Sequence, residues 1–277
     1  MPAESEVCNV SNRTQINLSA ITETQLNVQR WRDDSPIPQP CSMGIWFFLA
    51  WNPLWKHLIE FGLALALLIL AAPVLVISAL LIKLTSRGPV IYSQTRLGRD
   101  GKPFRVLKLR TMFHNCERHT GARWAQPGDP RVTTIGRFLR RTHLDELPQL
   151  WNVLRGDMSL VGPRPERPEF VPELERIILH YRVRLLVRPG VTGLAQVQLP
   201  ADTDVTSVRR KLAYDLYYIR NIGFWLDMRL MVCTFAKMIG IPFHILCRMF
   251  VMPPRHRVED AYVAWQALPA TANLPSA

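Results

Sequence analysis

Asp145 and Glu146 stand side by side in a 277-residue chain whose formal net charge is +12. An ionised, partly desolvated carboxylate is a workable nucleophile toward phosphorus or carbon. Arg137, Arg140 and Arg141 precede the pair, and Arg164 follows in a Gly162-Pro163-Arg164-Pro165 turn. Arg188 then opens a loop that holds Gly190 and Gly193. Guanidinium forks and the exposed amides of glycine-rich turns are what a diphosphate requires. A carboxylate beside bound phosphates also recruits a divalent ion through hard oxygen ligands, with Mg²⁺ the natural candidate. The competing reading is an N-cap with a helix-end acid, which would suffice for an isolated Asp-Glu pair. The arginines and turns together favour phosphoryl chemistry.

Pro148 constrains the element that carries the pair. A proline deep in a helix clashes with the carbonyl four residues earlier, so Leu144 is expected outside the regular helix. Asp145 and Glu146 then fall at or just before the first turn, where the helix dipole should depress the pKa of Asp145. Leu147, Leu150, Trp151 and Leu154 form the expected buried stripe, with Gln149 and Asn152 on the side of Asp145. Upstream, residues 89–112 read as two strands around a Gly98-Arg99-Asp100-Gly101 turn, with Phe104, Val106, Lys108 and Arg110 on one face. Residues 113–132 read as a polar loop, and Ile135, Phe138 and Leu139 restart a helical pattern. Downstream, a helix over 172–186 should align Leu174, Ile177, Ile178 and Tyr181. A tight loop spans 188–193 and a further helix 208–222.

The run FGLALALLILAAPVLVISALLI, residues 61–82, holds no charge. As a helix it would be about 33 Å long, against about 30 Å for a bilayer core. Trp46, Trp51 and Trp55 precede it, as suits a membrane interface. Pro73 divides the run and favours a kink. Lys56 lies before it, and Lys83, Arg87, Arg96 and Arg99 follow, which places the C-terminal body on the cytoplasmic side. Basic residues on both flanks weakly favour a re-entrant hairpin over a kinked span, with the two close to parity. Residues 224–252 are apolar but carry Asp227, Arg229, Lys237 and Arg248, which suits amphipathic helices on a membrane surface; a buried core helix is the alternative.

The basic balance calls for an anionic partner: nucleic acid, acidic lipid or a phosphorylated substrate. Nucleic acid is disfavoured, because the arginines cluster in Gly/Pro turns near a membrane segment and no nucleic-acid module is visible. Five cysteines are widely spaced without a CxxC pair, which suggests a reducing compartment. His114, Cys116 and His119 lack a fourth ligand at zinc-like spacing and read as a loop. Residues 1–44 have no helical or strand period and no secretory signal, and read as a disordered tail.

KLRTM (108–112), RRTHLDELPQLWNVLRGDMSLVGPRPERPEF (140–170), RPGVTGLAQV (188–197) and YDLYYIRNIGFWLDMRLM (214–231) resemble the bacterial sugar transferase family. These are monotopic phosphoglycosyl transferases, and the likeness covers roughly residues 45–250. It implies transfer of a sugar-1-phosphate from a UDP-sugar to undecaprenyl phosphate, with release of UMP, as the first step of a glycan assembly. Asp145 would be the nucleophile, forming a phosphosugar ester that the lipid phosphate displaces. Glu146 would associate with Mg²⁺, and Lys108, Arg140, Arg164 and Arg188 would bind phosphates. Asp157 and Asp215 fall at acidic motif positions that would order the site. The Glu166-Arg167-Pro168 continuation is similar to members that transfer hexoses such as glucose or galactose.

The resemblance also favours the re-entrant form of residues 58–84, a helix–break–helix bent at Pro73, although Ala72 stands where serine is common. Leu194 stands where many members have tryptophan. The implied fold is α/β and mostly helical: a compact catalytic domain with a small β-hairpin, the re-entrant membrane helix and amphipathic interfacial helices. The expected division is a tail over 1–44, an aromatic and membrane segment over 45–85, and a cytoplasmic catalytic domain over 86–223. Membrane-surface helices over 224–255 and a tail over 256–277 complete it. No multi-span region is expected before residue 45. The implied location is the bacterial inner membrane, and the implied partners admit a homodimer.

Overall fold

A computed structural model describes residues 53–266 apart from 115, 117–127, 179, 201–203, 242–244, 246–248 and 251. The expected tail over 1–44, the tryptophans at 46 and 51, and the end of the chain beyond 266 lie outside the described residues. The fold is mostly helical.

Helix α1, Pro53–Thr85, carries the apolar run and is long and apolar enough to cross a membrane by length and composition. Its helical run continues through Pro73, where the sequence suggested a break. A proline removes one backbone hydrogen bond without necessarily ending a helix whose other bonds persist. One stripe of α1 is covered or half-covered, formed by His57, Glu60, Ala64, Leu68, Ala71, Leu75, Ser78 and Ile82 at intervals of three or four. Leu58, Ile69, Leu70, Val76, Ile77 and Leu80 on its other faces are exposed. Both ends of α1 touch the rest of the chain. Ala64 joins the main core, while Ile82 packs with Leu109 and Leu139.

Strands β1 (Ile91–Leu97) and β2 (Pro103–Leu109) form the expected antiparallel hairpin around a turn at Arg99–Gly101. Val106 and Lys108 share a face of β2. Arg110 lies beyond the strand and donates to the carbonyls of Ser86 and Arg87 at the end of α1. Helix α2 is Thr134–Arg141, capped by Thr133, whose hydroxyl accepts from the Gly136 amide. A 3₁₀ turn over Leu144–Glu146 leads to α3, Gln149–Leu154, with Pro148 at its N-cap. In α3 the buried residues are Gln149, Leu150, Asn152 and Val153, whereas Trp151 is 51% exposed. Of the expected stripe, Leu150 is buried and Leu147 and Leu154 pack against the core, while Trp151 faces outward. Buried Asn152 stands in for a missing strand: its Oδ1 accepts from the Leu107 amide, and its Nδ2 donates to the Arg105 carbonyl. In this way α3 is fastened to the strand that bears Lys108.

A second sheet pairs β3 (Ser159–Val161) in parallel with β4 (Gly190–Thr192), bringing the Gly162 turn against the Arg188 loop. Only glycine fits this crossing. A Cβ on Gly162 would lie 2.6 Å from the Arg188 carbonyl oxygen, and one on Gly190 would strike the Gly162 amide. The helix expected over 172–186 is split into α4 (Val171–Ile177) and a 3₁₀ turn over Tyr181–Leu186, with His180 in the left-handed region between them. Leu174, Ile178 and Tyr181 are buried, but Ile177 is exposed.

Helices α5 (Leu194–Gln198), α6 (Val205–Arg220) and α7 (Phe224–Met238) complete the core. A reciprocal Asp204–Ser207 capping box starts α6, which buries Leu212, Tyr214, Tyr218 and Ile219. Leu194 is core, 1% exposed, so this position reaches neither a membrane nor an open cleft. Helix α7 is two-faced, with Asp227, Leu230, Cys233 and Ala236 inward and Trp225, Val232 and Phe235 exposed. Finally, α8, Arg255–Gln266, occupies the start of the segment expected as a tail and buries Val258 and Tyr262 in the core.

Candidate active site

The dyad sits where the Leu144–Glu146 turn meets α3. His143 immediately before it has φ 56, a left-handed conformation that costs a non-glycine residue about 1 kcal/mol or more. This kink turns Asp145 inward, where it is 7% exposed. The two acids are treated differently. Lys108 Nζ donates to Glu146 Oε1 at 2.6 Å, and Arg164 Nη2 donates to the same oxygen at 2.8 Å. Among the described residues no hydrogen bond reaches the carboxylate of Asp145.

Their titration diverges accordingly. Burial pushes Asp145 up to about 6 from an ordinary 3.8; Lys108 opposes the rise and the charge of Glu146 adds to it. For Glu146 burial acts upward too, but Arg164 and Lys108 overcome it and hold the acid well below the usual carboxylate range. The expected depression of the Asp145 pKa is thus reversed. A short turn offers little dipole, and two of the nearby cations, Lys108 and Arg164, are committed to the neighbour. Burial likewise lowers the ammonium pKa of Lys108, against the pull of Glu146.

The structure distributes the remaining expected residues over three places. Arg140 donates from Nε to Thr111 Oγ1 at 2.8 Å and acts electrostatically on Asp145, so it belongs to the dyad. Arg137 and Arg141 are exposed. Asp215 lies behind the site, where Arg184 Nη2 reaches its Oδ2 at 2.8 Å. The same guanidinium donates to the Arg164 carbonyl at 2.9 Å and pairs with Glu166 at 3.5 Å. Glu166 is held further by Lys211 at 3.2 Å and Arg96 at 4.0 Å. Arg96 also donates to the Pro165 carbonyl. This buried network fixes the backbone on which Arg164 stands. Arg184, Lys211 and Glu166 were missed as positioning groups, because no local motif advertises a long-range ion pair.

Asp157 is elsewhere, at the end of α3, near Arg155 at 3.4 Å and Asn152 Nδ2 at 3.5 Å. Arg188 points to α1: its Nη1 donates to His57 Nδ1 at 2.9 Å. The glycine amides were expected to face an anion. Instead Gly162 N donates to the Thr192 carbonyl and Gly190 N to the Pro163 carbonyl, joining the two loops. Gln149, in the first turn of α3, is 2% exposed, and its Nε2 finds no acceptor among the described residues. An orphaned buried donor of this kind marks a place where a ligand oxygen or water belongs.

As a metal site, the dyad offers hard oxygens: both Asp145 oxygens and Glu146 Oε2, since Oε1 is taken by Lys108 and Arg164. No group of three or more His, Cys, Asp or Glu side chains gathers to hold a metal among the described residues. Such a pair fits an ion of the Mg²⁺ type, which keeps several waters and completes its shell with substrate phosphates.

A family model described as bacterial sugar transferase matches residues 51–240. The chain is 45% identical over 170 residues to a UDP-N-acetylgalactosamine-undecaprenyl-phosphate N-acetylgalactosaminephosphotransferase of Aeromonas hydrophila, covering 61% of this chain and 40% of that protein. It is 45% identical over 186 residues to a UDP-glucose:undecaprenyl-phosphate glucose-1-phosphate transferase of Caulobacter vibrioides, covering 66% and 69%. An exopolysaccharide production protein of Rhizobium leguminosarum is 42% identical over 191 residues, covering 65% and 92%. The match thus spans well under two thirds of the Aeromonas relative. With the family model running through α1, the dyad and both arginine loops, this chain is a member of the bacterial sugar transferase family.

Proposed function

We propose that the protein transfers a hexose-1-phosphate from a UDP-sugar to undecaprenyl phosphate, releasing UMP. Asp145 carries the covalent step. The observation that carries this reading is the asymmetry of the dyad: a buried carboxylate that no hydrogen bond reaches among the described residues, beside one clamped by two cations. An Asp145 oxygen attacks the sugar-bearing phosphorus, and the bond from that phosphorus to the bridging oxygen breaks, leaving the oxygen on UMP. An oxygen of the lipid phosphate then attacks the same phosphorus, the aspartyl–phosphorus bond breaks, and the carboxylate is restored. No net proton is consumed.

Lys108 and Arg164 hold Glu146 in place and supply positive charge beside the phosphates, while Arg140 adds a further fork. Mg²⁺, held by Glu146 with Asp145 adjacent, would neutralise the diphosphate and polarise the leaving group. Relatives named for glucose and for N-acetylgalactosamine are equally similar to this chain, so the donor panel must include both sugars. Purified protein incubated with Mg²⁺, undecaprenyl phosphate and a panel of UDP-sugars is expected to release UMP. Mass spectrometry should then show an undecaprenyl diphosphate hexose, and no lipid-linked product from any donor would overturn the proposal.

The raised pKa of Asp145 sets the acid limb. The nucleophile must be ionised, so kcat/KM for the donor is expected to fall as pH drops through about 6. Glu146→Gln removes a like charge and frees Lys108 and Arg164 for Asp145. The limb of its residual activity should therefore move to lower pH, and a move upward would contradict the assignment.

We further infer that α1 enters and leaves one leaflet, with the body on the cytoplasmic face. In support, residues near both ends pack on the same body: Lys56 on Asp227 and Glu60 on Ser159 at one end, Ile82 on Leu109 and Leu139 at the other. Cysteines replacing Leu54 and Leu84 should both react with an impermeant maleimide from the cytoplasmic side. Labelling from opposite sides would establish a span.

A further inference from the structure

The site cations differ in how far protein acids neutralise them. Lys108 and Arg164 share Glu146, and Arg184 is bound by Asp215 and Glu166. Arg96 and Lys211 also pair with Glu166. Arg140 and Arg188 have no carboxylate in ion-pair reach among the described residues. A half-buried guanidinium without a counter-charge marks a place for an anion from outside the protein. Arg140 acts on Asp145 and so belongs with the donor. Arg188 has a different setting. Its one side-chain hydrogen bond among the described residues goes to His57, in the second turn of α1, and the other N–H groups of its fork remain available.

His57 is no neutral bystander. Because a guanidinium only donates, His57 Nδ1 accepts from Arg188 in this contact. The ring is lodged beside Gly156 at the end of α3. Around it on α1, Leu54 is 60% exposed, Trp55 55%, Leu58 52% and Phe61 41%. A phosphate bound by Arg188 would thus sit at the foot of an apolar, outward-facing helix surface. That arrangement suits the head of a lipid whose hydrocarbon tail lies along the helix, rather than a water-soluble nucleotide.

We propose that Arg188 binds the phosphate of the lipid acceptor, and that His57 is the positioning residue that orients its fork. The donor diphosphate is left to Lys108, Arg140 and Arg164. This rests on the transferase reading above, and the two half-reactions separate them. Exchange of labelled UMP into the UDP-sugar reports the donor step without lipid, and steady-state turnover against undecaprenyl phosphate reports the acceptor step.

His57→Leu is expected to raise KM for undecaprenyl phosphate by about tenfold, as befits one lost charge-assisted hydrogen bond. UMP exchange should stay within about twofold. His57→Asn, whose amide oxygen can accept in place of Nδ1, should recover most of the loss. Arg188→Lys should raise the same KM, and combining it with His57→Leu should add little, because both changes remove one interaction. Exchange and lipid KM damaged in parallel would overturn the division of labour, as would an unchanged lipid KM or additive effects. If added phosphatidylglycerol abolished the His57→Leu defect, Arg188 would be a general anionic-lipid contact, and the proposal would fail. Absence of UMP exchange in the unaltered protein would instead defeat the transferase reading itself.

Discussion

Asp145→Asn is expected to reduce turnover by about ten-thousand-fold or more, because an amide cannot form the ester that the proposed mechanism requires in both half-reactions. The variant should nonetheless fold. Asparagine has nearly the same shape, and among the described residues no hydrogen bond to the wild-type carboxylate is lost. The stability change should even be favourable. The carboxyl has a folded pKa of about 6 against an ordinary 3.8. Its raised value means that the stability it allows below pH 3.8 is lost progressively as pH rises through 6. At pH 7.5 the ionised form therefore weakens the folded state by about 1–3 kcal/mol, which asparagine relieves. A metal-free thermal melt should show the variant a few degrees above the parent at pH 7.5 and level with it near pH 4. Turnover retained by the variant would sink the nucleophile. A melt well below the parent would show that the carboxylate has a structural partner.

This opposition of activity and stability is what a pre-organised nucleophile should display. Under the proposed mechanism the carboxylate of Asp145 is left buried and under-solvated so that it can react, while Glu146 stays ionised between two cations.

What could be read from the chain alone was local. The hairpin followed from Gly98 and Gly101, the dyad's position from Pro148, and α1 from an unbroken apolar run. Period failed where the backbone changed pitch. Around the 3₁₀ turn at Leu144–Glu146 and the N-cap at Pro148, Gln149 and Asn152 lie buried with Asp145 as expected, but Trp151 is turned outward. Helix α8 was missed because, among the side chains described, its buried contacts are Val258 and Tyr262 set among charged neighbours. Long-range pairs were illegible for a different reason. His57 with Arg188 and Lys56 with Asp227 are separated by 131 and 171 residues, and each alone resembles a solvated surface charge. Their meeting depends on the seat of α1, which no local pattern encodes.

The largest stability effect should come from such a pair. Arg184 is 3% exposed at its side chain and binds Asp215 at 2.8 Å, Glu166 at 3.5 Å and the Arg164 carbonyl at 2.9 Å. Arg184→Met keeps most of the volume but strips one buried cation from two buried acids, a change that costs about 3–5 kcal/mol. For a domain of this size that corresponds to a melting point lower by about 6–20 °C. The pH dependence identifies the cause. Although burial acts against it, Lys211, Arg184 and Arg96 pull Glu166 down to about 2 from an ordinary 4.5, so its stabilising contribution is present above 4.5 and vanishes as pH falls through 2. Without Arg184 that depression shrinks, and the gap between variant and parent should narrow as pH falls below about 4.5. A gap independent of pH would mean that packing, rather than charge, is what Arg184 supplies. Activity should fall too, because the Arg164 carbonyl loses its anchor and the fork on Glu146 loses its fixed base. Arg184→Lys retains the charge without the two-directional fork, so it should recover stability more fully than turnover. Equal recovery of both would remove the reason to regard Arg184 as the residue that positions Arg164.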